Sequence, residues 1–426
     1  MRSVHPSPAI TTRHPALLSW LQTLGMRIGS GAQPAGHDLF LVAHGEYVPL
    51  AARTLVIGEP RRGDGQIVPF RSGNPARLAY SPNDAATGDA FAHALIAGLE
   101  APAASDPETL ALFALAARVA QTDIPVLISG PAGTGKDVLA RFIHDRSPRS
   151  TGPFVSVNCA ALSETMLEAL LFGHDKGASR TQGGFRAAHG GTLLLDEIAG
   201  ISLPLQAKLL RAIQQREVVP LGAGVAQPID VRIVACAGGD LQAAVSAGKF
   251  RTDLFYRLAV FPLTTRALRD RPGDIAALAA TMILRHAGAR TTVPWPGAHA
   301  MELLRTHDWP GNVRELDNVI QRALLFAAGD TIDAHHIVFD RAPAPRGLAE
   351  DISLRGADAE RARTLGKVVQ MSEFAAIRET LRACGGSRIE TARRLGISER
   401  TLRYRLARAR REGEPIDTSV RRKVSA

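Results

Sequence analysis

Over the first hundred residues, short apolar runs such as Leu39 to Val42 and Thr54 to Ile57 are separated by Gly, Pro and Asp turns. This pattern predicts a small α/β domain. After an Ala/Pro/Ser hinge around Ala101 to Asp106, helical spacing predicts a helix from about Pro107 to Gln121, which leads into an apolar strand at Pro125 to Ile128. Strands then alternate with helices to about Pro262, the rhythm of a parallel sheet covered on both faces. Between about Ala267 and Ile337 the period becomes helical, with Ile275, Leu278 and Ala279 on one stripe and Leu316, Ile320, Ala323 and Leu324 on another. A small helical subdomain is expected there. Pro343, Pro345, Gly347 and Gly356 mark a linker over 341–366, and the residues beyond it read as a separate, strongly basic helical unit.

Composition narrows the class. The 426 residues amount to about two to four domains at roughly 150 residues each, and 45% hydrophobic with 22% charged residues describes a globular rather than a disordered chain. The formal net charge of +10 is concentrated near the C-terminus, which points to a polyanionic partner. Cys159, Cys236 and Cys384 lie far apart, without metal-ligand spacing, which argues against a disulfide framework and a structural zinc and fits a reducing cytoplasm. No apolar run approaches the ~18 residues of a membrane span, and Pro6, Pro8 and His14 interrupt any secretory core. A cytoplasmic protein with no membrane partner is expected. No nucleophile elbow is present, and the 13 histidines show no metal-ligand spacing.

The chemistry-bearing segment is Gly130-Pro131-Ala132-Gly133-Thr134-Gly135-Lys136-Asp137, which follows an apolar strand and opens a helix carrying Val138, Leu139, Phe142 and Ile143. Glycines let successive backbone N–H groups converge on a phosphate, the helix N-terminus adds partial positive charge, and Lys136 reaches the terminal phosphates. Asp137 stands where the general pattern has Ser or Thr. Downstream, the strand Gly190-Gly-Thr-Leu-Leu-Leu-Asp196-Glu197 ends in adjacent carboxylates. One can hold a magnesium-bound water and the other can orient or deprotonate the attacking water, the division of labour in ATP hydrolysis.

Further strings share a pattern with these: Asn158 to Leu162, Leu171-Phe-Gly-His-Asp-Lys-Gly177, Phe250-Arg251-Thr-Asp-Leu-Phe-Tyr-Arg257-Leu258 and Trp309-Pro-Gly-Asn-Val-Arg314-Glu-Leu316. Together they resemble, over about residues 105 to 340, the AAA+ domain of bacterial enhancer-binding proteins, the sigma-54-dependent transcriptional activators. The resemblance implies an α/β AAA+ P-loop subdomain with a parallel sheet at 105–265 and a helical lid at 266–340. It implies ATP and Mg2+ as cofactors, with Gly130 to Asp137 and Arg314 on the nucleotide and Asp196 and Asp137 toward the metal. Glu197, Asp196, Asn158, Arg251 and Arg257 become the candidate catalytic residues: Asn158 as the switch that holds the glutamate, and the two arginines as fingers toward a neighbouring subunit. A guanidinium there can stabilise charge developing on a γ-phosphate.

Two places depart from that pattern. The family's GAFTGA loop, which touches sigma-54, is replaced by Lys176-Gly-Ala-Ser179-Arg180-Thr181-Gln182-Gly183-Gly184-Phe185, about five residues short. At the end of the strand Val231 to Ala235 the family continues Ala-Thr-Asn, whereas this chain has Cys236-Ala237-Gly238-Gly239 and lacks the polar first sensor. Nucleotide binding should survive and hydrolysis should slow. The domain over 1–100 resembles a degraded receiver in which Ala43 occupies the phospho-accepting position; a generic α/β cap is the alternative.

At the C-terminal end, 367–412, Met371 to Cys384 reads as a helix with Phe374, Ile377 and Leu381 on one stripe. Ser387 to Leu395 reads as a second helix, and after a turn at Gly396 and Ile397 Ser398 caps a third, through about Arg410. This is helix-turn-helix geometry. Arg400, Arg403 and Tyr404 share the outer face of the third helix, with Arg405, Arg393 and Arg394 supplying charge for phosphates. The unit resembles the all-α Fis-type domain of the same family, closest to its flagellar regulators, and a basic tail fills 413–426. The expected protein is a DNA-binding transcriptional regulator that binds ATP and double-stranded DNA at upstream sites. Its partners would be RNA polymerase holoenzyme and other copies of itself, from dimer to hexamer, or a mixed ring with a paralogue. The alternatives are a repressor or accessory subunit without productive turnover and an ATPase remodelling a different holoenzyme.

Overall fold

A computed structural model describes residues 3–339, apart from 24, 30–37, 61–64, 177–178, 224, 289, 291, 328, together with 384 and 387–394. The chain divides into two units, Met1–Ala342 and Pro343–Ala426.

The first unit begins with β1 (Ser3–Pro6), α1 (Pro8–Arg13), α2 (Pro15–Thr23), β2 (Arg27–Ile28), β3 (Leu39–Ala43), β4 (Thr54–Gly58), β5 (Gln66–Val68), β6 (Ala76–Ala79) and α3 (Ala85–Ala97). The strands lie in the order β2-β1-β3-β4-β6-β5. All pairs are parallel except β5 with β6, which forms an antiparallel edge. Apolar strands such as Leu39–Ala43 are nearly all buried because helices cover the sheet. Without the β5 edge the order is the doubly wound 2-1-3-4-5 arrangement of receiver-like folds.

The next layer is α4 (Pro107–Ala120), β7 (Val126–Ser129), α5 (Lys136–Asp145), β8 (Phe154–Asn158), α6 (Glu164–Phe172), the hairpin β9 (His174–Lys176) and β10 (Ser179–Thr181), α7 (Gly184–Ala187) and β11 (Thr192–Asp196). It continues through α8 (Leu203–Gln215), the short pair β12 (Glu217–Val218) and β13 (Gln227–Pro228), β14 (Arg232–Ala237), α9 (Leu241–Ser246), α10 (Thr252–Leu258) and β15 (Phe261–Thr264). Five strands form one sheet, β15-β7-β14-β11-β8, parallel throughout. Strand β14 runs two residues beyond the sequence expectation, because Cys236 and Ala237 pair with Ile128 and Ser129.

The helical part is α11 (Asp274–His286), β16 (Trp295–Pro296), α12 (Ala298–Thr306), α13 (Asn312–Phe326) and β17 (Thr331–Ile332). Helix α13 buries Leu316, Ile320, Ala323 and Leu324, the stripe expected, and adds Val319 to it. Helix α11 differs: nearly every residue from Asp274 to Leu284 is buried, and Leu278 only partly. It packs against α13 on one side and α3 on the other, and a helix apolar all round is one buried all round. One hydrophobic core therefore runs from the N-terminal domain into the lid. Phe91 meets Trp295 with ring centroids 5.4 Å apart, and Val293 N–H donates to the Ile67 carbonyl at 3.1 Å.

In the second unit, α14 (Arg388–Arg394) is described; Ser387 opens it, its hydroxyl accepting from Glu390 N–H. Among the described residues, no helix is long and apolar enough to cross a membrane.

Candidate functional site

Strands β7, β14, β11 and β8 end on one edge of the sheet, the edge at which ligands bind in open α/β folds. The loop after β7 follows its glycines: Gly130, Gly133 and Gly135 have φ of 148°, 74° and 91°, backbone conformations costly for any side chain. A Cβ on Gly133 would also lie 2.5 Å from the Gly311 carbonyl of the lid. Lys136, buried at the start of α5, donates to the Gly130 and Pro131 carbonyls at 3.0 and 3.1 Å. Thr134 donates to the Pro131 carbonyl and shares a 2.7 Å hydrogen bond with Thr265. Asp137 is exposed on the first turn of α5.

Beside this loop the structure brings the acidic strand end. Asp196 closes β11 and pairs in register with Asn158 at the end of β8. The Asn158 Oδ1 accepts from Ala160 N–H at 3.0 Å. Glu197 takes the left-handed conformation, φ 51°, and its N–H donates to Asp196 Oδ1 at 3.0 Å. The Glu197 carboxylate rests against the end of β14: a Cβ built on Gly238 would lie 2.7 Å from its Oε2. The space a first-sensor side chain would need is thus occupied by Glu197. Behind it Cys236 is fully buried, and burial pushes its thiol far above the usual range, so it remains neutral.

The lid closes directly on the loop. Arg314 is exposed on the first turn of α13, its Cβ 3.3 Å from where a Cβ on Gly133 would stand. Val313 N–H donates to the Gly133 carbonyl at 2.8 Å. Asn312, buried and at φ 54°, donates through Nδ2 to the Ala132 carbonyl at 2.9 Å and accepts from Leu268 N–H at 2.8 Å. Arg271 donates to the Thr134 carbonyl at 2.7 Å. Sequence reasoning missed Asn312, Thr265, Arg271 and Asp274; the i, i+3 spacing of Arg271 and Asp274 at a helix start was the available signal.

Arg251 and Arg257 do not join this cluster. Both are exposed on the segment carrying α10; Arg251 forms a two-pronged ion pair with Asp253, which holds the Asp253 carboxyl below its usual range. The same helix contributes Phe255 and Tyr256 to a cavity of about 600 Å³ beside Gly130, Pro131 and Gly238. Where the resemblance implied a projecting contact loop, β9 and β10 form a tight antiparallel hairpin, with Lys176 opposite Ser179. Gly173, φ 83°, begins the hairpin, and its base is tied down by paired backbone bonds between Gly173, Asp175 and Leu221.

The structure also places Asp333, His335 and His336 with one ligand atom each within 4.8 Å of one another, a grouping the sequence reading had excluded. Asp333 and His336 already cap each other's backbone around the 3-10 turn Ala334–His336, which accounts for the grouping. Of the DNA-contact candidates, Arg394 is exposed on α14 and only the backbone of Arg393 is described. Arg400, Arg403, Tyr404 and Arg405 lie outside the described residues, as do the linker, the third helix of that unit and its first helix before Cys384.

Comparison with known proteins agrees with this geometry. A sigma-54 interaction domain matches residues 103–264, an AAA+ ATPase lid domain 269–347, and a bacterial regulatory protein Fis family domain 369–408. The response regulator protein FleR of Pseudomonas aeruginosa is 44% identical, over 75% of this chain and 72% of that protein. The transcriptional regulatory protein FlbD of Caulobacter vibrioides is 38% identical, over 90% and 88%. The sigma54-dependent transcriptional activator SfnR of Pseudomonas putida is 42% identical, over 71% and 86%. A structure of NtrX from Brucella abortus in complex with ADP shares the fold, with a TM-score of 0.53, 23% identity, and coverage of 96% of this chain and 99% of that one. The chain belongs to the sigma-54-dependent transcriptional regulators, with an AAA+ domain, its lid and a Fis-type DNA-binding helix-turn-helix.

Proposed function

We propose that the protein binds ATP with Mg2+ at Gly130 to Asp137 and double-stranded DNA through its C-terminal unit, and acts in the cytoplasm as an oligomeric regulator whose direct contact with sigma-54 polymerase is impaired. The observation that carries this reading is the tight β9–β10 hairpin, Lys176 opposite Ser179, in a chain that keeps the phosphate loop and its lysine.

The residues fit the nucleotide. Three positive-φ glycines shape a cradle that a Cβ would fill, Lys136 stands inside it, and Asp196 with Asp137 offers hard oxygen ligands for Mg2+. Bound there, the nucleotide and its metal supply a phosphoanhydride to be cleaved. Backbone N–H groups and Lys136 orient the phosphates, Arg314 reaches them from the lid, and Glu197, checked by Asn158, activates water. Arg251 and Arg257, exposed and outside their own site, suit presentation to a neighbouring subunit in a homo-oligomer or a mixed ring. With Gly238 in place of a polar sensor, turnover is slow, which favours the accessory or repressing role over that of an independent activator.

The test is ATP affinity and turnover of the purified chain across concentrations that span assembly, with Lys136→Ala as control. Micromolar Mg2+-dependent binding that Lys136→Ala removes, with low turnover, is the expected result. A wild-type chain that binds no ATP, or that turns it over as fast as SfnR measured in parallel, would refute the reading.

A further inference from the structure

We infer that Asp274 and Arg271 are positioning residues that tie the linker beneath the N-terminal domain to the phosphate loop, so that packing of that domain sets nucleotide affinity. The inference rests on the reading of Gly130 to Asp137 as the ATP site.

Asp274 is 0% exposed and Arg271 is 7% exposed. Burying such a pair is costly unless hydrogen bonds offset the lost hydration, so the partners they hold are informative. One Asp274 oxygen accepts from Ser105 N–H at 2.7 Å and Asp106 N–H at 2.8 Å. The other accepts from the Thr109 hydroxyl at 2.7 Å and faces Arg271 Nη1 at 3.4 Å. Thr109 stands in the first turn of α4, and the two backbone donors, Ser105 and Asp106, belong to the chain between the N-terminal domain and α4. The sequence reads that stretch as a hinge, but the structure straps it down: Trp20 Nε1 of α2 donates to the Ala104 carbonyl at 3.1 Å, and Arg285 of α11 donates to the Leu99 carbonyl at 2.6 Å.

Arg271 carries the tie onward. Its Nη2 donates to the Thr134 carbonyl at 2.7 Å. In a trans peptide the carbonyl and the following N–H point opposite ways, so holding the Thr134 oxygen fixes the direction of the Gly135 N–H. That N–H is one of the donors at the mouth of α5 that face a phosphate. A shift of the N-terminal domain that disturbs Trp20 and Ala104 therefore moves the donors of Asp274, then Arg271, then the loop. By linkage, nucleotide must stabilise the strap as much as the strap favours nucleotide.

The test is a double-mutant cycle on the full chain with a fluorescent ATP analogue and Mg2+. Trp20→Phe removes one N–H donor yet keeps an aromatic ring beside His93, 4.9 Å away; Arg271→Lys keeps the charge and loses the fork. Each is expected to weaken binding about 5-fold or more, and the double variant no more than Arg271→Lys alone. Amide exchange at Ser105 and Asp106 should slow on nucleotide addition in the wild type and not in Arg271→Lys, a response that a merely structural role would not produce. Full additivity, or unchanged affinity in Trp20→Phe, overturns the inference while leaving the ATP site standing. A wild type that binds no nucleotide overturns both.

Discussion

Replacing Asn312 by Ala separates the lid's grip on the phosphate loop from the rest of the core. The side chain is buried, and its amide spans from the Ala132 carbonyl to Leu268 N–H. Removing it leaves the buried Leu268 N–H unpaired, at about 1–3 kcal/mol, whereas water can reach the Ala132 carbonyl on its exposed residue. Asn312 also sits at φ 54°, which costs a β-carbon residue about 1–2 kcal/mol. Asn312→Ala should lose about 3 kcal/mol, whereas Asn312→Gly, free of the backbone cost, should lose about 1 kcal/mol less. At about 2.1 cal/mol/K of unfolding entropy per residue, a unit spanning Met1–Ala342 shifts by about 1.4 °C per kcal/mol, so thermal unfolding of the alanine variant should fall by about 4 °C, with the glycine variant in between. Affinity for a fluorescent ATP analogue should fall in both, because the Ala132 carbonyl loses its tether to the lid. Alanine and glycine variants that melt together with the wild type would refute the reasoning.

Gly238→Asn should not raise ATP turnover above wild type, since its Cβ would start 2.7 Å from Glu197 Oε2 and displace that carboxylate; a rise in a steady-state phosphate-release assay would count against this. Gly65→Ala should strongly destabilise the first unit, because its Cβ would lie 2.4 Å from the Trp295 ring, and amide exchange should show α3 and α11 loosening together. His93 is buried without a partner for Nδ1, and desolvation holds its pKa at about 4 against an ordinary 6.5. The unfolded chain then takes up a proton that the folded chain refuses. Stability is therefore full above pH 6.5 and falls by about 3 kcal/mol as pH drops toward 4. A His93→Phe variant measured by urea unfolding should lose that part of the slope.

What the sequence made legible was local. The phosphate loop, the acidic strand end and the α13 stripe are each written in consecutive or helically spaced residues, and α13 has one solvent face to break its apolar pattern. On helix α11 the stripe Ile275, Leu278 and Ala279 captured only part of the buried surface, because α3, nearly two hundred residues earlier, covers its second face. The clamps on the loop were invisible for the same reason: Arg271 reaches Thr134 across 137 positions and Asn312 reaches Ala132 across 180, and no local pattern encodes such pairs. The shortened contact loop was legible through the resemblance to the family's GAFTGA pattern, whereas Glu197 filling the sensor space beside Gly238 required the fold.

The most direct test of the central claim is binding of sigma-54 by the full chain in the presence of ATP and Mg2+, beside the same chain carrying a full-length GAFTGA loop between Lys176 and Gly183, with SfnR itself as control. Expected is no measurable binding by the wild type and a gain in the grafted chain. Wild-type binding as tight as that of SfnR would contradict the claim that the β9–β10 hairpin removes the contact.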